Sequence, residues 1–131
     1  MRIILADHHA GPRWALRLLL TEQTEFEFLG DAVDADGLLM LAEKHLAHLF
    51  LIDRDLPGMP IEDLIARLHA FEPRPIVVVM SSEFEHSRAL LKAGADAFVS
   101  KGDESGWLLE TLHKYAKQVA AKEDTNRYDT L

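Results

Sequence analysis

A doubly wound α/β fold around a parallel sheet is predicted by three features of this 131-residue chain. Short apolar runs alternate with amphipathic segments at a spacing of about 20–25 residues, the rhythm of repeated strand–helix units. The runs are too short for helices and apolar on both faces, as strands buried on two sides must be. Most of them stop abruptly at a polar residue or a turn signal.

Arg2–Ala6 is the first strand, and it ends at Asp7. Gly11-Pro12 opens the first helix, where Pro12 suits the first turn. Leu16, Leu19 and Leu20 recur at helical spacing, and the helix is expected to end near Gln23. Phe26–Val33 reads as a second strand interrupted by Gly30. Asp34 or Asp36 is the candidate cap of a second helix over Ala35–Ala47, with Leu38, Leu41, Ala42 and His45 on one face. "HLFLI" is the third strand and stops at Asp53; Pro57-Gly58 is a turn. A third helix is predicted over Pro60–Ala70 with Leu64, Ile65 and Leu68 inward, and Pro73 and Pro75 break the chain after it. "IVVVM" is the fourth strand, since its β-branched residues resist a helix. A short fourth helix covers Phe84–Lys92, with Gly94 where a C-cap glycine belongs. "DAFVS" is the fifth strand, the last helix runs from Glu104 to Ala121, and residues 122–131 read as a polar, frayed tail after a domain spanning 1–121.

Composition narrows the function. Apolar residues make up 48%, which is globular, and cysteine is absent, which excludes disulfides and thiolate metal sites. No apolar run approaches the ~20 residues that span a bilayer, and no signal-peptide cleavage pattern follows Met1–Ala6. The expectation is a cytoplasmic protein with no membrane partner. A net charge of −8 argues against direct nucleic-acid binding and favours protein partners or an acidic cation pocket.

In parallel sheets, ligands bind outside the carboxyl ends of the strands. Here those ends carry Asp7, Asp53, the pair Ser81 and Ser82, and Lys101. A lone Asp after a strand is usually a turn or cap residue. Two acids, a hydroxyl and an amine converging on one edge are much harder to reach by chance. The "DRD" of Asp53–Asp55 also resembles the Asp-x-Asp of aspartate-nucleophile phosphatases, but Pro57 stands where that motif wants Thr or Val. Of the seven histidines, His45, His48, His69, His86 and His113 show no metal-ligand spacing and read as surface or helix-face residues. Trp107, Leu108 and Leu112, with Leu90 and Leu91, are candidates for either core packing or a dimer surface. No Ser/Thr-rich phosphate loop precedes the first helix, which disfavours a flavin carrier.

The segments "IILADHHAGPRWALRLLL", "LFLIDRDLPGM" and "KAGADAFVSK" resemble the receiver domain of bacterial two-component response regulators, most closely its LuxR-type branch. The resemblance covers about residues 1–120. It implies the flavodoxin-like receiver fold, a five-stranded parallel sheet of order 2-1-3-4-5. It implies a non-enzymatic signalling function in which Asp53 accepts a phosphoryl group. Ser81, in preference to Ser82, and Lys101 would contact that group, and Phe98 would be the aromatic that moves with Ser81. Asp7, Asp53 and the backbone carbonyl of Asp55 would hold Mg²⁺, with Mn²⁺ a second candidate. The implied partners are a histidine kinase or phosphotransfer protein, and a second copy through the face of the fourth helix, fifth strand and fifth helix. A DNA-binding helix-turn-helix usually follows LuxR-type receivers; no output domain is legible after residue 121, so the expectation is a stand-alone receiver or one cut from a longer regulator.

Two departures from the family pattern stand out. Where a second acid is expected beside Asp7 the chain has His8, a poor ligand for Mg²⁺ because imidazole suits Zn, Cu, Fe or Ni better. His9 matches a histidine common in the LuxR-type branch and reads as structural. After "LPGM" the family usually has an acidic or amide residue and then Gly, whereas Pro60 and Ile61 follow here. These departures predict weak Mg²⁺ binding and leave a second reading open, a pseudo-receiver that binds proteins without phosphorylation.

Overall fold

The computed structural model describes residues 1–101 and 105–129. Five strands, β1 (Arg2–Ala6), β2 (Glu27–Ala32), β3 (Leu49–Asp53), β4 (Ile76–Ser81) and β5 (Ala97–Ser100), form one sheet of order β2-β1-β3-β4-β5. Every neighbouring pair is parallel. The helices are α1 (Ala10–Thr21), α2 (Ala35–Lys44), α3 (Ile61–His69), α4 (Ser87–Lys92) and α5 (Ser105–Asp129). The fold class and strand order are those expected.

Alternation along the strands sorts the core into two layers. Ile4, Ala6, Phe50, Ile52, Val77 and Val79 face α2, α3 and α4, where Leu38, Leu64, Ile65, Leu68 and Leu90 meet them. Ile3, Leu5, Leu49, Leu51, Val78 and Met80 face the other way, onto Leu20 of α1 and Leu108 and Leu112 of α5. Each fully buried Leu or Ile is worth about 1.5–3 kcal/mol of transfer free energy. Apolar residues therefore continue along both faces of the central strands, leaving only the strand ends for polar groups.

The element ends differ from expectation in ways that have local causes. Gly30 marks an irregularity: Ile3 pairs Phe28 while Ile4 pairs Gly30, so Leu29 is an extra residue in β2. Asp34, not Asp36, caps α2, its carboxylate accepting from Gly37 N–H at 2.8 Å. α2 stops at Lys44 because His45 is extended (φ −129°, ψ 136°), which leaves His45 exposed rather than on the inward face. Pro60 lies just outside α3 as its N-cap, with Glu62 and Asp63 in the first turn and Arg67 and His69 in the last, matching the helix dipole. The left-handed backbone that the preceding turn needs falls on Gly58 (φ 115°). Gly94 (φ 110°) follows α4 as expected. The predicted fourth helix splits into a 3₁₀ turn, Phe84–His86, and α4. α5 continues past Ala121 to Asp129; the predicted start at Glu104 lies outside the described residues, as do the last two residues of the expected tail. No described helix is long and apolar enough to cross a membrane.

Candidate phosphoryl site at the carboxyl edge of the sheet

Parallel strands in register bring their carboxyl ends level, and four polar side chains meet there. Asp7 follows β1 and is fully buried; Asp53 closes β3 and Ser81 closes β4, both nearly so. Lys101 follows β5, and its N–H donates to Ser81 O at 2.9 Å, continuing the β4–β5 pairing by one residue. That places its side chain across the mouth of the sheet. The Lys101 Nζ donates to Asp7 Oδ2 at 2.6 Å and to Asp53 Oδ2 at 2.7 Å. One ammonium thus ties two carboxylates that are 46 residues apart in sequence, 7 against 53.

Burial pushes the Asp53 carboxyl up, but the hydrogen bonds from Lys101 and from Asp55 N–H (2.9 Å to Oδ1) outweigh it and hold Asp53 below the ordinary carboxylate range. Burial likewise pushes Lys101 down, while Asp53 and Asp7 together raise it. Asp53 is therefore an anion with its lone pairs oriented, and Lys101 a cation beside it.

The two histidines after Asp7 have distinct places. His9 N–H donates to Asp7 Oδ1 at 2.9 Å, a turn that starts α1. Its ring Nδ1 then lies 3.1 Å from Asp7 Oδ1 and 3.3 Å from Asp53 Oδ2. His9 is thus part of the carboxylate cluster, not only a structural residue. His8 is exposed and packs against His9, ring centroids 3.8 Å apart. Donor atoms of Asp7, His8, His9 and Asp53 all lie within 4.8 Å of one another. Mg²⁺ takes oxygen ligands and prefers waters to nitrogen. Two carboxylates suit it and two imidazoles do not, so the set fits Mg²⁺ poorly. The Asp55 side chain is exposed and paired with Arg54 at 3.1 Å.

Ser81 and Ser82 separate clearly: Ser81 is buried and Ser82 exposed. The Ser81 hydroxyl accepts from Glu83 N–H at 3.1 Å and lies 3.1 Å from His86 Nδ1. Phe98 is half-buried on β5 and meets exposed Phe84 edge to face, centroids 6.1 Å apart at 76°. His86 is a site residue that sequence reasoning missed; its spacing from Ser81 matters only because the 3₁₀ turn folds the chain back. Three other histidines find carboxylates: His48 with Glu123, His69 with Asp96 and His113 with Glu25, whereas His45 is exposed. Of the candidate surface residues, Leu90, Leu108 and Leu112 are core, whereas Trp107 and Leu91 are exposed.

A parallel sheet of this order, with paired acids, a hydroxyl and a bridging lysine at its carboxyl edge, defines a receiver-type α/β module. The chain belongs to the response regulator receiver domain family, whose model matches residues 3–113. It is 32% identical over 113 residues to the uncharacterized transcriptional regulatory protein YhcZ of Bacillus subtilis, covering 85% of this chain and 53% of that one. It is 29% identical over 116 residues to the nitrate/nitrite response regulator NarL of Escherichia coli K12, covering 87% and 54%. The chain spans about half the length of these relatives. Its fold is similar to the receiver domain of the putative response regulator NarL from Mycobacterium tuberculosis, with a TM-score of 0.79 and 24% identity over 88% of this chain and 95% of that one.

Proposed function

We propose that this chain accepts a phosphoryl group on Asp53 from a histidine kinase or phosphotransfer protein and converts it into a change on the surface of α4, β5 and α5. The observation that carries this reading is the double contact of Lys101 with Asp7 and Asp53 at 2.6 and 2.7 Å. In the transfer a carboxylate oxygen of Asp53 attacks phosphorus, a P–O bond forms, and the N–P bond of the donor phosphohistidine breaks with its electron pair left on the imidazole. Phosphoryl transfer needs mostly position and charge neutralisation, and Lys101 supplies a compact positive charge beside the acceptor. Ser81 and Phe98 are the residues through which the added charge of about −1.5 to −2 would reach the surface. Next to them a groove of about 240 Å³ is lined by Phe84, Phe98, Val99, Ser100, Trp107 and Thr111, which suits a protein partner or a second copy.

A divalent ion in this pocket would screen the phosphoryl oxygens during transfer. His8 in place of a carboxylate, together with His9 between Asp7 and Asp53, favours weak Mg²⁺ binding and reduced metal dependence. The same two residues favour the second reading, a pseudo-receiver that works without phosphate. The outward, Arg54-paired carboxylate of Asp55 speaks against a phosphatase, which needs a second acid at the nucleophile. Incubation with acetyl phosphate and Mg²⁺, followed by intact mass, separates the two main readings. A mass gain of one phosphoryl group that vanishes in Asp53→Asn is expected. An unmodified wild-type chain, with no spectral response to beryllofluoride, would leave the pseudo-receiver.

A further inference from the structure

The polar contacts around Ser81 close on one another within a single turn. Ser81 Oγ accepts from the Glu83 backbone N–H at 3.1 Å, and its second contact is His86 Nδ1 at 3.1 Å. His86 Nε2 lies 3.1 Å from Glu83 Oε2. A carboxylate only accepts, so this approach favours the ring form that carries a proton on Nε2. In the neutral ring Nδ1 is then a lone pair, and it must take the single proton of Ser81. In that ring form Ser81 O–H donates to His86 Nδ1, and His86 Nε2–H faces the Glu83 carboxylate. All three side chains lie within one hexapeptide, closed by the 3₁₀ turn in which His86 N–H donates to Glu83 O at 3.1 Å.

We infer that His86 is a positioning residue that latches the receiver in its unphosphorylated state, by committing the only proton of Ser81 away from Asp53 and tying it to the turn that carries Phe84. This rests on the phosphoryl-acceptor reading of Asp53. An acyl phosphate at Asp53 offers acceptor oxygens, and Ser81 can donate to them only by giving up His86. Once His86 is released, the turn loses a contact at its last residue, and Phe84 in its first position is the partner of Phe98. The latch thus joins the hydroxyl at the site to the aromatic pair on the surface. It is local to the sequence "SSEFEH".

The experiment uses the unphosphorylated chain and two variants. ¹⁵N chemical shifts of the His86 ring near neutral pH are expected to report the neutral Nε2–H tautomer, and the Nδ1 shift is expected to move in Ser81→Ala. An imidazolium or an Nδ1–H tautomer overturns the latch whatever the site does. Beryllofluoride titrations at saturating Mg²⁺ test its consequence. His86→Ala is expected to bind about fivefold more tightly than wild type, the scale of one competing hydrogen bond. His86→Asn, which keeps an acceptor near the Nδ1 position on a folded turn, is expected to return toward wild type. Equal or weaker binding by His86→Ala overturns the latch alone. Silence of wild type and both variants overturns the phosphoryl-acceptor reading and the latch with it.

Discussion

Lys101 is the residue on which the pocket's electrostatics turn. It neutralises two nearly or fully buried carboxylates at once, so the pocket carries one more negative charge than positive from these three groups. Removing the cation strands both anions, whereas removing one anion leaves a matched pair. Lys101→Met is therefore expected to cost about 3 kcal/mol of stability at neutral pH, and Asp53→Asn less than about 1 kcal/mol. Urea denaturation of the two variants checks the order; a Lys101→Met protein as stable as Asp53→Asn would contradict it. His8 offers the complementary test. Gross attraction between unit charges 4 Å apart is about 4 kcal/mol at an effective dielectric of ~20, so restoring a carboxylate in His8→Asp should raise Mg²⁺ affinity at least tenfold in calorimetric titration. Equal affinities would show that position 8 plays no part in holding the ion. The places of Asp53, Lys101 and Ser81 at the edge of the sheet were readable from sequence, because a strand's carboxyl end is written as the polar residue that terminates an apolar run. Which imidazole turns inward was not readable. That depends on Asp7 capturing the His9 N–H to begin α1, a backbone event that residue type alone does not encode.

At the scale of elements, turn chemistry decides how the site's loops are shaped. Gly58 lies in the segment between Asp53 and α3 with φ 115°, and a Cβ there would come within 3.0 Å of the Ala35 Cβ at the start of α2. Ala35 N–H also donates to Pro57 O at 2.9 Å, so the two segments are already stitched together. Gly58→Ala adds left-handed strain of about 1–2 kcal/mol and a collision on top of it. Its midpoint in urea should fall further than that of Asp34→Ala, which removes a cap worth about 1 kcal/mol. The reverse ranking would mean that the loop can relax around the added methyl group. Element existence followed from hydrophobic period, but ends followed from single residues. Extended backbone at His45 ended α2 early. The polar stretch after Ala121, expected to fray, stays helical because Lys and Glu are good helix formers and polarity is no obstacle on an exposed helix. His86 became part of the site only because Phe84–His86 is a 3₁₀ turn and not the first turn of an α-helix.

Across the whole molecule, the amino edge of the sheet carries a second ionic junction, opposite the pocket. His48 precedes β3; its Nδ1 accepts from Arg2 N–H at 2.9 Å, and its Nε2 lies 2.8 Å from Glu123 far along α5. The first strand, the third strand and the last helix are thereby joined at one imidazole. Burial lowers the His48 pKa below its ordinary 6.5, the Arg2 charge and the chain amino terminus add to this, and Glu123 opposes it. A depressed histidine means that the unfolded chain binds the proton more readily than the folded one. Its contribution to stability is therefore complete above the ordinary value and is lost as pH falls through 6.5 toward the folded value. Urea midpoints measured between about pH 8 and pH 5.5 should decline in the wild type, and His48→Gln should remove part of that decline. Glu123→Ala deletes the one group that favours the charged ring, so it should steepen the decline, and a parallel pair of curves for wild type and Glu123→Ala would detach α5 from this junction. The geometry makes the steeper curve the expected one: the carboxylate sits on Nε2 while Nδ1 is occupied by a backbone donor, so a second proton on the ring would cost the Arg2 hydrogen bond as well.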